Sequence, residues 1–225
     1  SGTCVVNLNG GKLMVNQVDS GNAASSSAFN FNGGELEAKR NEVNFFRNID
    51  NAVILSGGAF IDSNGFDITV LEDLAGVGGV TKQGAGTLQL SGALTYVGAT
   101  TVNGGTLRLS GAASGTTAYT VNNAGSVLQI GATTGISSSN TVSITASTTL
   151  DLFGNSATIG TLTNVAGATI TNSGAGTGTD TLTISPQSIT VAALLTDGAT
   201  RKTALRVNNA NTSTQITTKI GRASC

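Results

Sequence analysis

The constraint that dominates this 225-residue chain is a phrase that recurs about ten times: a small apolar residue, an Asn, Ser or Thr, a tight turn, then alternating apolar residues. Its fullest copies are Leu8-Asn9-Gly10-Gly11-Lys12-Leu13, Phe31-Asn32-Gly33-Gly34-Glu35-Leu36, Leu55-Ser56-Gly57-Gly58-Ala59-Phe60 and Val102-Asn103-Gly104-Gly105-Thr106-Leu107. Weaker copies begin at Val80, Val121, Ile144, Leu162, Ile184 and Val207. The nine intervals from Leu8 to Val207 average about 22 residues. Self-similarity at a period of about 20 to 50 residues belongs to solenoids, propellers and arrays. A stacked array buries its core between neighbouring repeats, so residues 1–225 read as one domain.

Within each phrase the side chains alternate with period two, as in Leu88-Gln89-Leu90 and Leu107-Arg108-Leu109. That is the pattern of a half-buried strand. Gly-Gly and Asn-Gly at the bend tolerate positive φ and let the chain turn a corner at low steric cost. A propeller needs blades of about 40 residues, often with a Trp signature, and this chain has half that period and no Trp. The fold is therefore expected to be an all-β parallel β-helix, a β-solenoid of about ten coils of roughly 22 residues. The residue before each bend is small and polar: Asn9, Asn32, Ser56, Thr81, Asn103, Asn122, Thr145, Thr163, Ser185 and Asn208. Coils stacked about 4.8 Å apart would turn these ten into a coil-corner polar ladder.

Residues 79–111 carry a more specific pattern. The run Gly79-Val80-Thr81-Lys82-Gln83-Gly84-Ala85-Gly86-Thr87-Leu88-Gln89-Leu90-Ser91-Gly92 is followed by Leu94-Thr95-Tyr96 and by Gly98-Ala99-Thr100-Thr101-Val102-Asn103-Gly104-Gly105-Thr106-Leu107-Arg108-Leu109-Ser110-Gly111. It closely resembles the autotransporter-associated β-strand repeat of bacterial passenger domains. Leu94 and Val97 stand where that family more often has polar residues, and the segment from Leu195 to Val207 looks like the approach to a second copy. The resemblance implies a right-handed β-helix, secretion across a bacterial envelope and display at the cell surface. It implies no catalytic residues. The C-terminal membrane barrel usual in the family would show amphipathic strands of about ten residues with aromatic girdles, and none appears after residue 200.

Charge is sparse, at 10% of residues, with a formal net charge of −1. That balance argues against nucleic acid as a partner. No apolar run reaches the 18 or so residues of a transmembrane helix, and the first residues lack the basic-then-apolar pattern of a signal peptide. Residues 1–80 hold nine acids and four bases, whereas residues 197–225 hold five bases and one acid. Cys4 and Cys225 lie at opposite ends of the sequence. Ten coils would hold them roughly 45 Å apart, far beyond the roughly 7 Å a disulfide spans, so pairing is expected between molecules. With little room for capping coils, the leading expectation is a secreted structural subunit stacking head to tail into an extracellular filament, a homopolymer locked by Cys4–Cys225 disulfides. The alternative is an autotransporter passenger or adhesin segment, a stalk at the bacterial surface that meets cell-surface or matrix glycans.

No enzyme is expected. The chain has no His, which removes His-based triads and the usual zinc sites. Asp62, Asp67, Glu72 and Asp73 are the candidate carboxylate cluster for glycoside cleavage, but charges on a solenoid wall read more simply as solvated residues. Gly176-Thr177-Gly178-Thr179-Asp180-Thr181-Leu182 partly matches a calcium-binding nonapeptide; as a lone copy it reads as a glycine-rich loop. No metal or cofactor is expected. Phe45-Phe46-Arg47 interrupts the coil grammar, with both Phe residues expected to fill the core.

Overall fold

The computed structural model describes residues 2–21, 26–185, 190–208, 215–216 and 220–221. Each turn phrase breaks the alternation after a few residues, so a coil consists of short strands laid on three walls. In the second coil these are Ser27–Phe31, Glu35–Ala38 and Glu42–Arg47. Each pairs in parallel with the strand one coil away. The third wall is a continuous ten-stranded sheet running from Val18–Asp19 to Ile220–Gly221, one strand per coil. The second wall has eight strands, from Lys12–Val15 to Thr161–Asn164. The first wall is interrupted. Four strands end at Leu74–Gly76, single bridges continue through Leu94 to Ala113, and three strands resume at Ala157–Ile159. The chain is an all-β parallel solenoid. Among the described residues its sole helical element is the 3-10 turn Thr133–Gly135.

Coil length is not constant. Leu8 pairs with Phe31, 23 residues on, while Val80 pairs with Thr100, 20 on, and Val102 with Val121, 19 on. Corners absorb the difference and strands keep register, because a slip of one residue would turn each apolar side chain to solvent.

The interior is built from in-register stacks. Ile68, Leu88, Leu107, Leu128, Leu150 and Ile170 stand one above another on the third wall, all buried. Full burial of such a side chain contributes about 1.5–3 kcal/mol. Phe29, Phe31 and Phe46 cluster in the early coils, with Phe29 and Phe46 edge to face at 5.2 Å between centroids. Phe45 is buried too, so both Phe residues of the irregular segment fill the core. The irregularity is a bulge: Glu42 pairs with Ile68 and Phe46 with Val70, four residues against two.

Some corners are so tight that no side chain fits. A Cβ on Gly111 would lie 1.8 Å from the carbonyl oxygen of Gly92 in the preceding coil.

Candidate functional site: the lateral walls and residues 80–109

The ten polar residues before the bends do not form one ladder. Asn9 and Asn32 share the corner between the first and second walls, with Asn32 Nδ2 donating to Asn9 Oδ1 at 3.2 Å. Ser56 lies in the same turn one coil on, where the contact is instead Gly57 N–H to Asn32 Oδ1 at 3.1 Å. Thr81 and Thr163 sit within second-wall strands. Asn103, Asn122 and Thr145 follow second-wall strands and stack at the next corner, Asn122 Nδ2 donating to Asn103 Oδ1 at 3.4 Å and Thr145 Oγ1 to the Val121 carbonyl at 3.0 Å. Ser185 and Asn208 follow first-wall strands again. The phrase marks a corner without specifying which corner, and unequal coil lengths move it around the column.

A different set of side chains ties the corners: carboxylates accepting backbone N–H groups from an adjacent coil. Asp67 accepts from Thr87 N at 2.9 Å, Asp73 from Ala93 N at 2.6 Å and Asp50 from Ser27 N at 2.6 Å. Glu72 accepts from Asn48 N. Thr87 N also reaches the Phe66 carbonyl at 3.1 Å, and an ionised carboxylate satisfies such corner amides strongly. The bonds from Ser27 hold the Asp50 carboxyl below the usual range, and those from Asn48, Gly21 and Arg47 do the same for Asp19. Asp50, Glu72 and Asp73 line a cleft of about 380 Å³ with Ser20 and Asn48, at the corner between the third and first walls. Asp62 and Asp67 lie elsewhere, so the four acids anticipated as one cluster are divided between two corners.

Among the described residues, one carboxylate group is close enough to share a cation: Glu35, Glu37 and Asp62, with oxygens within 4.8 Å of one another. Lys12 supplies the countercharge, 2.7 Å from Glu35 and bonded to Glu37, and those bonds raise its own pKa. In the glycine-rich loop, Asp180 takes Arg201 Nε at 2.6 Å and Asn172 Nδ2 at 2.8 Å, and the guanidinium reaches the Ala175 carbonyl at 3.2 Å. A guanidinium thus sits against the carboxylate that the nonapeptide pattern would offer to calcium. Cys4 is an exposed free thiol on the strand Cys4–Leu8, and Cys225 lies outside the described residues.

Residues 80–109 supply four strands, two on each of the second and third walls. Their unusual member is Lys82. It occupies an inward stack between Ile61 and Val102 and is fully buried. Its ammonium is met by the carbonyls of Gln83 at 2.6 Å, Gly84 at 2.7 Å and Gly104 at 3.1 Å. Three donors meet three acceptors, which is how a buried lysine is accommodated without an ion pair. Burial pushes its pKa down to about 8, with the Asp62 charge opposing. The sequence held the signal: alternation places Lys82 on the same side of its strand as the buried Val80. Nearby, buried Tyr96 bonds Thr100 Oγ1 at 2.6 Å.

Among the described residues, no helix is long and apolar enough to cross a membrane. No curated protein sequence and no solved structure matches the chain. One family does match, over the segment built around Lys82: residues 80–109 fit the passenger-associated-transport-repeat, the repeat that the motif from Val80 to Leu109 resembles.

Proposed function

We propose that this chain is a segment of a bacterial autotransporter passenger: a β-solenoid stalk secreted across the envelope and displayed outside the cell, with no turnover of substrate. The observation that carries this reading is the coincidence of the repeat at residues 80–109 with two successive coils of the solenoid. Each coil leans only on its neighbours, so the column can be completed coil by coil as chain emerges from a pore. Lys82 binds its own coil to the next through Gly104, which suits this section to hold what has already folded. A head-to-tail fibre has no comparable support: Cys225, on which its cross-link depends, lies outside the described residues.

The test is surface labelling. An epitope placed in the exposed turn at Asn123 and Gly125 of the complete gene product should be reached by antibody on intact cells, and deletion of residues 80–109 should lower the displayed amount. Signal seen only after lysis would overturn the proposal.

A further inference from the structure

The outer side of the third wall carries a second depression, a cleft of about 210 Å³, lined by Val43, Asp67, Thr69, Thr87, Gln89 and Arg108. It exists because of the bulge in Glu42–Arg47, which lifts Val43 off the sheet until it is 72% exposed. Bulges commonly re-aim a side chain beside a functional site. This one is pinned: Gln17 Nε2 donates to the Asn44 carbonyl at 2.7 Å, and Asn44 N donates to Glu42 at 3.2 Å.

Arg108 is the most constrained residue of the cleft. Its Nε donates to Gln129 Oε1 at 2.9 Å, and its guanidinium carbon lies 4.2 Å from the centroid of the Phe153 ring. Both supports depend on one buried carboxylate. Asp151 Oδ2 accepts from Gln129 Nε2 at 2.9 Å and Asp151 Oδ1 from Phe153 N at 2.9 Å. Phe153 has φ 47°, a left-handed conformation that costs a bulky residue about 1–2 kcal/mol. Strain of that kind persists where the surroundings impose it, and here it brings the ring to the guanidinium. The two terminal nitrogens of Arg108 have no partner among the described residues. The side-chain oxygens of Thr69 and Thr87, and Asp67 Oδ2, are likewise unpartnered there.

The geometry points to a binding site for an acidic saccharide, with a sugar carboxylate on Arg108, ring hydroxyls on Asp67, Thr69, Thr87 and Gln89, and an apolar sugar face against Val43. A guanidinium held from behind with a free fork suits a planar carboxylate. Hydroxyl, amide and carboxylate side chains beside it offer the mixed donors and acceptors that sugar hydroxyls require. An extended peptide would need an open sheet edge, and this cleft lies over paired interior strands. An amphipathic helix would need an apolar groove, whereas Val43 is the one exposed apolar side chain among those lining this cleft. Stacked strands repeat about every 4.8 Å, so the row Thr69, Gln89, Arg108 lets a linear polymer run along the column axis. The inference concerns this wall alone and stands or falls independently of cell-surface display.

Purified chain is titrated by calorimetry with glucuronate- and galacturonate-containing oligosaccharides, with the same oligosaccharides after reduction of the carboxyl groups, and with sulfate. Saturable binding of a uronate oligosaccharide is expected, weakened about tenfold or more by carboxyl reduction and by Arg108→Gln. Gln129→Leu should weaken it less, and Thr101→Ala on the second wall should leave it unchanged. Circular dichroism confirms that each variant is folded. No binding by either uronate series, or binding indifferent to Arg108→Gln, overturns the site. Equal binding of the reduced sugars overturns the carboxylate contact, and sulfate binding as tightly as the oligosaccharides overturns the saccharide.

Discussion

The Lys82 ammonium lies 3.1 Å from the carbonyl oxygen of Gly104, one coil away, with its side chain stacked between the aliphatic Ile61 and Val102. A cation here joins two coils where a leucine would only fill space.

Lys82 sets an alkaline window of stability. Its pKa is about 8 in the fold, against an ordinary value of 10.5. Between those values the unfolded chain binds more protons than the native one, so stability rises with pH across the window, by an amount on the order of 2–3 kcal/mol. Urea unfolding at pH 7.5, 9 and 10 measures the slope. Lys82→Met should abolish it, and an unchanged slope in that variant would refute the assignment.

Above that window the tyrosines reverse the trend. Burial pushes Tyr96 up to about 12 and raises Tyr119 as well, while both ionise near 10 once unfolded. Their neutral forms favour the fold, so stability is lost as pH climbs past about 10. Tyrosinate absorbance should therefore appear together with loss of β-sheet circular dichroism, rather than before it.

Gly111→Ala and Gly125→Ala separate steric from conformational demands. The first drives a Cβ into the Gly92 carbonyl and should cost about 1–3 kcal/mol in thermal or urea unfolding. The second meets no atom within 4 Å but sits at φ +85°, and should cost about 1–2 kcal/mol from backbone strain alone. If Gly111→Ala proved neutral, the coil spacing at that corner would be wrong.

Arg201→Gln should free the loop it clamps. Its contacts with Asp180, Ala175 and Thr177 would be lost, leaving Asp180 with Asn172 and Ser156 as side-chain partners. A measurable loss of stability in urea unfolding is expected, with faster hydrogen exchange at Gly176 and Gly178. Arg201 also holds the Asp180 carboxyl below its ordinary value of 3.8, so in the parent chain this contribution persists above that value and fades as pH falls beneath it.

Much of this was legible in the sequence, and the residues explain why. Strict alternation in segments such as Leu88-Gln89-Leu90 reports which side chains face inward, and a fixed stacking distance turns that local fact into a column. The turn phrase was legible as a corner but not as a particular corner: Asn103 and Asn9 read alike, yet coils of 19 and 23 residues place them at different bends. The capping role of Asp67 and Asp73 was hidden because each partner amide lies 20 residues on, at a distance only the register reveals. The Arg108 cleft was hidden twice over. Its rim comes from a bulge that the irregular run Phe45-Phe46-Arg47 marks without showing that Val43 is lifted out, and its supports come from Gln129 and Phe153, one and two coils further along.

The interrupted first wall has a mechanical consequence. Through Leu94 and Ala113 that wall is joined by single bridges, whereas the second and third walls carry unbroken ladders past the same coils. A load pulling along the axis is then shared unevenly: the second and third walls resist as continuous hydrogen-bonded sheets, and the first gives. The column should flex there in one preferred direction, opening on the side of Leu94, so that the rod has a built-in elbow.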